Sequence, residues 1–356
     1  MIVESSVSTP ESDDRVLRVE GLRTGFPTRE GMVNALDGVS FDLARRERLG
    51  IVGESGSGKS SLALSIMGLV PRPGRVLAGT VTLNGRPISR FGDERMSRVR
   101  GRQISIVFQD PLTALNPVMK VGAQVIEALR VHQPRLGRAA LRRRAVELLD
   151  SVGIVNPQRR IDDYPHQYSG GMRQRVAIAM ALANDPDVLI ADEPTTALDA
   201  TTQAEIVALL QRLADEHETA IVLISHNLAL VSEFCDRVLI MYAGRVVEQA
   251  DVPDVFREPA HPYTQALLGA IPTSGSSRED GLAAIPGSPP NLLKPAEGCP
   301  FEPRCALGQG KEICRTAKPP AVPIAGASFA ECHFARPRHG AGVSASPRDE
   351  TRTVGS

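Results

Sequence analysis

The sequence predicts an α/β fold with a mainly parallel core sheet. Two observations carry that expectation. Short apolar runs suited to buried strands, VLIA at 188–191, AIVLI at 220–224 and RVLIM at 237–241, alternate with helical patterns. The stretch GESGSGKS at 53–60 lies between a strand-like run, RLGIV at 48–52, and a helix-like run, SLALSIM at 61–67. That is the setting a phosphate-binding loop requires. Glycines at 53, 56 and 58 let the backbone curl so that successive N–H groups face phosphate oxygens, and the helix N-terminus adds partial positive charge. Lys59 supplies a mobile cation, and the Ser60 hydroxyl is placed for Mg²⁺.

The chain has 356 residues, room for one large domain and a smaller one. Lys+Arg and Asp+Glu are both 41. A balanced charge argues against a protein whose main work is gripping nucleic-acid backbone. The longest apolar run, 176–183, is too short to span a membrane. The first residues, MIVESSVSTPESDD, are acidic and polar, unlike a signal peptide, so a cytoplasmic location is expected.

Taken in order, residues 1–14 are expected to be disordered. Strand patterns begin at Val16 in VLRVEGLRT and continue through GVSFDLARRERLGIVG, where Val39, Phe41 and Leu43 alternate. TVTLNG at 80–85 reads as a strand ending in an Asn-Gly turn, and QISIVF at 103–108 as another strand. From about 112 to 168 the pattern is helical, with Val121, Val125, Ile126 and Leu129 on one face and Leu141, Ala145, Leu148 and Leu149 on another. Arg142-Arg143-Arg144 reads as a solvated helix face. Ile206, Leu209, Leu210 and Leu213 mark a further helix. After residue 255 Pro and Gly multiply, four of five cysteines fall between 299 and 332, and 335–356 reads as a loose tail.

Two more stretches carry chemistry. Asp192 ends the apolar strand VLIAD, where a side chain reaches a ligand at the sheet's carboxyl edge, and Glu193 beside it is placed to polarise an attacking water. Ser169, Gly170 and Gly171 precede the helical run 172–183, offering a hydroxyl and an exposed helix N-terminus.

Together these elements resemble the ATP-binding subunits of ABC transporters over about residues 16–255, with motifs in the family's order. GESGSGKS resembles the Walker A loop, Gln109 in VFQDP the Q-loop, SGGMRQR the signature, VLIADEP the Walker B strand, Ala197-Leu198-Asp199 the D-loop and His226 in LISHN the switch histidine. The resemblance implies a P-loop ATPase domain over 15–255, with an antiparallel β subdomain and a helical subdomain. Gly53, Glu54, Ser55, Gly56, Ser57, Gly58, Lys59, Ser60 and Ser61 would bind ATP, with Ser60, Gln109 and Asp192 holding Mg²⁺. Glu193 would be the general base, His226 would hold the γ-phosphate, and Gln109 would touch Mg²⁺ and the nucleophilic water. Two subunits would pair head to tail, each presenting Ser169, Gly170 and Gly171 to its partner's ATP, with Asp199 linking the two sites. Met172 replaces the signature's usual Gln, as in the peptide-importer branch, and fits pairing with a different ATPase subunit. Phe26 is the candidate for stacking on adenine.

Cys299, Cys305, Cys314 and Cys332 suggest a metal site in a reducing compartment, and their spacing leaves zinc and iron–sulfur level. Cys235 reads as an ordinary buried thiol. HPYTQALL at 261–268 followed by CPFEPRC resembles the C-terminal extension of oligopeptide and dipeptide importer ATPases, here 256–334. Some of those subunits hold a [4Fe–4S] cluster on four such cysteines, which favours that cluster over Zn²⁺. His261 is assigned a capping or packing role. The branch implies an ATP-hydrolysing, energy-coupling subunit on the cytoplasmic face of the membrane. Its partners would be two permeases, a second ATPase subunit in a heterodimer, and an extracytoplasmic solute-binding protein, with no nucleic acid. The rival class is a soluble ABC ATPase acting on DNA or ribosomes, which usually carries coiled-coil insertions or a second cassette, both missing here.

Overall fold

A computed structural model describes residues 14–89, 91–110, 114–196, 198–270 and 285–337. Of the expected loose stretches 1–14 and 335–356, residues 1–13 and 338–356 lie outside the described residues, as does Ala197 of the D-loop.

The β-rich start forms an antiparallel sheet. Strand β1 (Arg15–Thr28) runs between β2 (Gly31–Ala44) and β4 (Arg75–Leu83), with Val19 opposite both Phe41 and Val81. The short β5 (Arg86–Pro87) follows β4 through Asn84 and Gly85, both at positive φ, so the Asn-Gly turn is present. The run GVSFDLARRERLGIVG is two strands in different sheets. It breaks at Arg46, which adopts φ 62°, and β3 (Arg48–Val52) enters the second sheet.

That second sheet holds β6 (Ile104–Val107), β7 (Val188–Asp192), β8 (Ala220–Ser225), β9 (Arg237–Tyr242), β10 (Arg245–Asp251), β11 (Ala321–Ala325) and β12 (Ser328–Glu331) besides β3. Its order is β11-β12-β10-β9-β3-β8-β7-β6, parallel from β9 to β6 and antiparallel beyond. The apolar strands are buried on both faces, and alternate residues serve different cores. Val188 and Ile190 pack towards the antiparallel sheet, whereas Leu189 and Ala191 pack towards the helices.

Helix α1 (Lys59–Ile66) leaves the glycine-rich loop and lies against the antiparallel sheet through Leu62 and Ile66. Helix α2 (Asp93–Val99) follows. Helices α3 (Val121–His132), α4 (Arg138–Ser151), α5 (Pro157–Arg160) and α6 (Gly170–Leu182) make the helical part. Val121, Val125, Leu129, Leu141, Ala145, Leu148 and Leu149 are buried there as the spacing predicts. Arg142 and Arg144 stay part-exposed, paired with Asp162 and Glu147, so the basic run is a solvated face. Helix α7 (Ala200–His217) buries Ile206, Leu209, Leu210 and Leu213. Helices α8 (Leu228–Phe234), α9 (Val252–Arg257), α10 (Pro262–Gly269) and α11 (Glu312–Thr316) complete the chain. Cys235 is buried in an apolar setting that pushes its thiol pKa up, as an inert core thiol requires.

The C-terminal extension does not stand apart. Strand β12 pairs with β10 through Glu248–Ala330 and Gln249–Phe329, lengthening the main sheet. His261 caps α10, its Nδ1 accepting from Tyr263 N–H at 3.0 Å, and it is buried, which agrees with the capping role. Among the described residues no helix is long and apolar enough to cross a membrane.

Candidate nucleotide site

The loop between β3 and α1 is shaped by close backbone approaches. A Cβ on Gly53 would stand 2.2 Å from the Met241 carbonyl oxygen. Gly58 sits at φ 106°, and a Cβ there would meet the Ala35 carbonyl at 2.6 Å. Only glycine satisfies both positions. Lys59 turns its Nζ back across the loop, donating to the carbonyls of Gly53 (2.8 Å) and Glu54 (3.0 Å).

Strand β7 delivers Asp192 to the same place. Ser60 Oγ donates to Asp192 Oδ1 at 3.2 Å, although the two are 132 residues apart. Next to it Glu193, at φ 46°, turns its carboxylate to three neighbours. Gln109 Nε2 donates to Oε2 at 3.1 Å, Thr196 Oγ1 donates to Oε2 at 2.8 Å, and His226 Nδ1 stands 3.3 Å from Oε1. Lys59, Ser60, Gln109, Asp192, Glu193 and His226 are therefore one cluster.

Burial pulls the Lys59 ammonium pKa down, opposed by Glu193, Asp192 and Glu54. Burial pushes the Asp192 carboxyl up, partly offset by the Ser60 hydroxyl. A hard cation would relieve the cost of a buried carboxylate, and the oxygen donors of Ser60, Gln109 and Asp192 fit Mg²⁺. Lys59, Ser60, Gln109, Glu193 and His226 of this cluster floor an open cleft of about 740 Å³, large enough for a nucleotide. Ser55, Gly56, Gly58, Ser61, Phe26, Val33 and Ala35 line it too. Phe26 is thus at the cleft wall, but its ring also packs on Gly74, where an added Cβ would come within 2.4 Å.

The signature residues are elsewhere. Ser169 caps α6, its Oγ accepting from Met172 N–H at 3.3 Å. With Gly170 and Gly171 it lines a shallow cleft shared with Leu198, Asp199 and Thr202. Asp199 caps α7 through Thr202, whose N–H and hydroxyl it accepts at 3.0 and 2.8 Å. The two clefts share no lining residue, so one chain brings four of its six motifs to its Walker loop and leaves the signature and the D-loop apart.

The extension contributes residues that the motifs did not announce. Leu292 lines the nucleotide cleft, and its carbonyl accepts from Asn34 N–H at 3.3 Å. Tyr263 Oη accepts from Glu54 N–H at 2.8 Å. Arg304 grips the Glu54 carboxylate with both terminal nitrogens, at 2.7 and 2.9 Å. No local pattern marks Leu292. Arg304 lies inside CPFEPRC, where the cysteines draw the attention.

The four cysteines face a common interior. Cys305, Cys314 and Cys332 are buried, Cys299 is partly so, and the electrostatics of Cys299 feel the other three. Burial pushes Cys299 up to about 11 and raises Cys314 and Cys332. Gly308 N–H donates to Cys305 Sγ at 3.2 Å and Phe334 N–H to Cys332 Sγ at 3.4 Å. Soft sulfur donors with amide N–H support suit zinc or iron–sulfur chemically. Yet among the described residues no group of three or more His, Cys, Asp or Glu side chains is arranged to hold a metal ion.

Comparison with known proteins agrees with this geometry. Residues 36–196 match the ABC transporter family model, and 247–314 match the C-terminal region of oligopeptide/dipeptide transporters. The oligopeptide transport ATP-binding protein OppD of Escherichia coli is 48% identical over 306 residues, 86% of this chain and 89% of that protein. OppD of Mycobacterium tuberculosis is 49% identical over 317 residues, 89% of this chain, and the chain spans about half (51%) of that relative's length. A dimeric ATP-binding cassette bound to ADP and Pi superposes with TM-score 0.60 at 28% identity, covering 66% of this chain and 98% of that one. Cassette, extension and relatives converge: the chain belongs to the ABC transporter ATP-binding family, in the branch of the oligopeptide transport ATP-binding proteins.

Proposed function

We propose that this chain is the ATP-hydrolysing, energy-coupling subunit of an importer for dipeptides, oligopeptides or related small solutes. The observation that carries the reading is the convergence of Gln109, Thr196 and His226 on the Glu193 carboxylate, directly beside Lys59, Ser60 and Asp192. The loop N–H groups and Lys59 would bind the phosphates of ATP, with Phe26 against the adenine. Mg²⁺ at Ser60, Gln109 and Asp192 would supply charge neutralisation on the phosphates. Glu193, oriented by its three partners, would accept a proton from water attacking the γ-phosphorus, and ADP would leave. His226 would hold the γ-phosphate.

The separate signature cleft supports a composite site, in which Ser169, Gly170 and Gly171 of one subunit close over the ATP of another and Asp199 links the two. We assign the partner subunit to a different ATPase chain, and the pair to two membrane permeases on the cytoplasmic face, served by an extracytoplasmic solute-binding protein. The names of the relatives, oligopeptide transport ATP-binding protein and putative peptide import ATP-binding protein, support the peptide cargo. We further assign Cys299, Cys305, Cys314 and Cys332 to a [4Fe–4S] cluster, with Zn²⁺ as the alternative, on the chemistry of their soft sulfur donors and not on their arrangement; the group would cross-link the extension. Iron, sulfide and zinc analysis of anaerobically purified protein decides that assignment.

The test of the main reading is Glu193→Gln. Turnover should fall by about a hundredfold or more, the scale of a lost general base, while MgATP still binds. Unchanged hydrolysis would remove Glu193 as the base.

A further inference from the structure

The second position of the phosphate loop is unconstrained in the motif, yet here it holds a carboxylate, Glu54, which does not line the cleft itself but whose charge is felt at the Lys59 ammonium. An uncompensated negative charge there would oppose ATP. The structure shows how it is compensated. Arg304, 4% exposed, forks onto Glu54 with Nη1–Oε2 at 2.7 Å and Nη2–Oε1 at 2.9 Å. The guanidinium is held in turn. Its Nε donates to the Pro286 carbonyl at 2.8 Å, and Nη1 donates also to Tyr242 Oη at 3.3 Å. Glu54 is fixed at two further points, its N–H to Tyr263 Oη and its carbonyl to Lys59 Nζ. Phe301 packs on Tyr242 and Tyr263 with ring centroids 5.2 and 5.3 Å away, and so joins these holds to the cysteine segment.

We infer that Arg304 is a positioning residue for ATP binding. It neutralises Glu54 and holds the phosphate loop open to phosphate, so that the packing of the cysteine segment sets nucleotide affinity. Arg304 lies between Cys299 and Cys305, so a disturbance of those thiols reaches the loop through its guanidinium as well as through the packing of Phe301 on Tyr263. The bidentate fork makes the geometry specific to arginine, since lysine offers a single point charge. The inference rests on the proposed ATP site and adds to it an affinity control from the extension.

The test compares the unaltered full-length chain, Arg304→Met, Arg304→Lys and the double variant Arg304→Met/Glu54→Gln. MgATP binding is measured by equilibrium titration, and KM and kcat by phosphate release. Arg304→Met, which leaves Glu54 unpaired, is expected to weaken ATP binding and raise KM about ten- to a hundredfold, with kcat changed much less. Arg304→Lys should fall between the two. Removing the charge with Glu54→Gln should restore most of the affinity lost in Arg304→Met, an effect that a mere strut would not produce. Unaltered affinity in Arg304→Met overturns the inference. So does an equal loss in Arg304→Met and the double variant. If Arg304→Met does not fold, Arg304→Lys with unchanged KM overturns it instead. Failure of the unaltered chain to bind ATP overturns the functional reading, and this inference with it.

Discussion

His261 makes folding stability depend on pH in a calculable way. It is 1% exposed, its Nδ1 accepts from Tyr263 N–H at 3.0 Å, and its ring lies 6.0 Å from that of Phe301. A protonated ring has no acceptor nitrogen, so protonation breaks the cap as well as burying a charge. Burial lowers the histidine from 6.5 to about 4, with the Glu331 backbone opposing part of the shift. The unfolded chain therefore takes up this proton first as pH falls. The contribution to stability is complete above about pH 6.5 and drains away down to about pH 4. A shift of about 2.5 units corresponds to about 3 kcal/mol in all, of which about 2 kcal/mol is lost by pH 5. Asparagine keeps an acceptor for the cap but does not titrate. Urea unfolding at pH 7.5, 6.5, 5.5 and 5.0 should show the unaltered chain losing about 2 kcal/mol more than His261→Asn across that range. Other histidines and carboxylates titrate equally in both proteins and cancel. Parallel pH profiles would refute the reasoning.

Other substitutions test separate parts of the structure. Gly53→Ala places a Cβ 2.2 Å from the Met241 carbonyl oxygen, and should cost about 1–3 kcal/mol in thermal unfolding together with ATP binding. Phe301→Ala removes a ring that is 1% exposed, and should destabilise by about 3–5 kcal/mol in urea and weaken ATP binding as well. Ser169→Ala removes the cap of α6, and should cost about 1 kcal/mol while leaving ATP binding to the isolated chain intact. Its effect on turnover should appear only in the assembled pair.

The parts of the molecule that sequence reading found were those whose physics is local. The glycine loop announces itself because its residues must lie together along the chain. The strands VLIA, AIVLI and RVLIM announce themselves by composition, and Asn84-Gly85 by its turn chemistry. Strand β10 is marked in sequence only by the Ala243-Gly244 turn before it, where both residues take positive φ. Strands β11 and β12 are five and four residues long, too short for periodicity to show. The contacts of Arg304 with Glu54, and of Tyr263 with the same residue, span 250 and 209 positions. No window of sequence contains them, and their side chains match no motif. Within the cluster around Glu193 the identities of Gln109 and His226 were legible from motif order. The participation of Thr196 was not, because it depends on the turn that follows β7.

The pairing of β12 with β10 also bears on how the sheet ends. Without it, the backbone groups on one side of β10 would face outward as a template for another chain. The hairpin moves the boundary to β11, a strand of five residues with Pro323 at its centre, which lacks a donor N–H and discourages further strand addition. The extension is thus also a guard against self-association. Shortening the protein before residue 320 would leave a sticky border, and the shortened chain should aggregate even where its ATP-binding residues are all present.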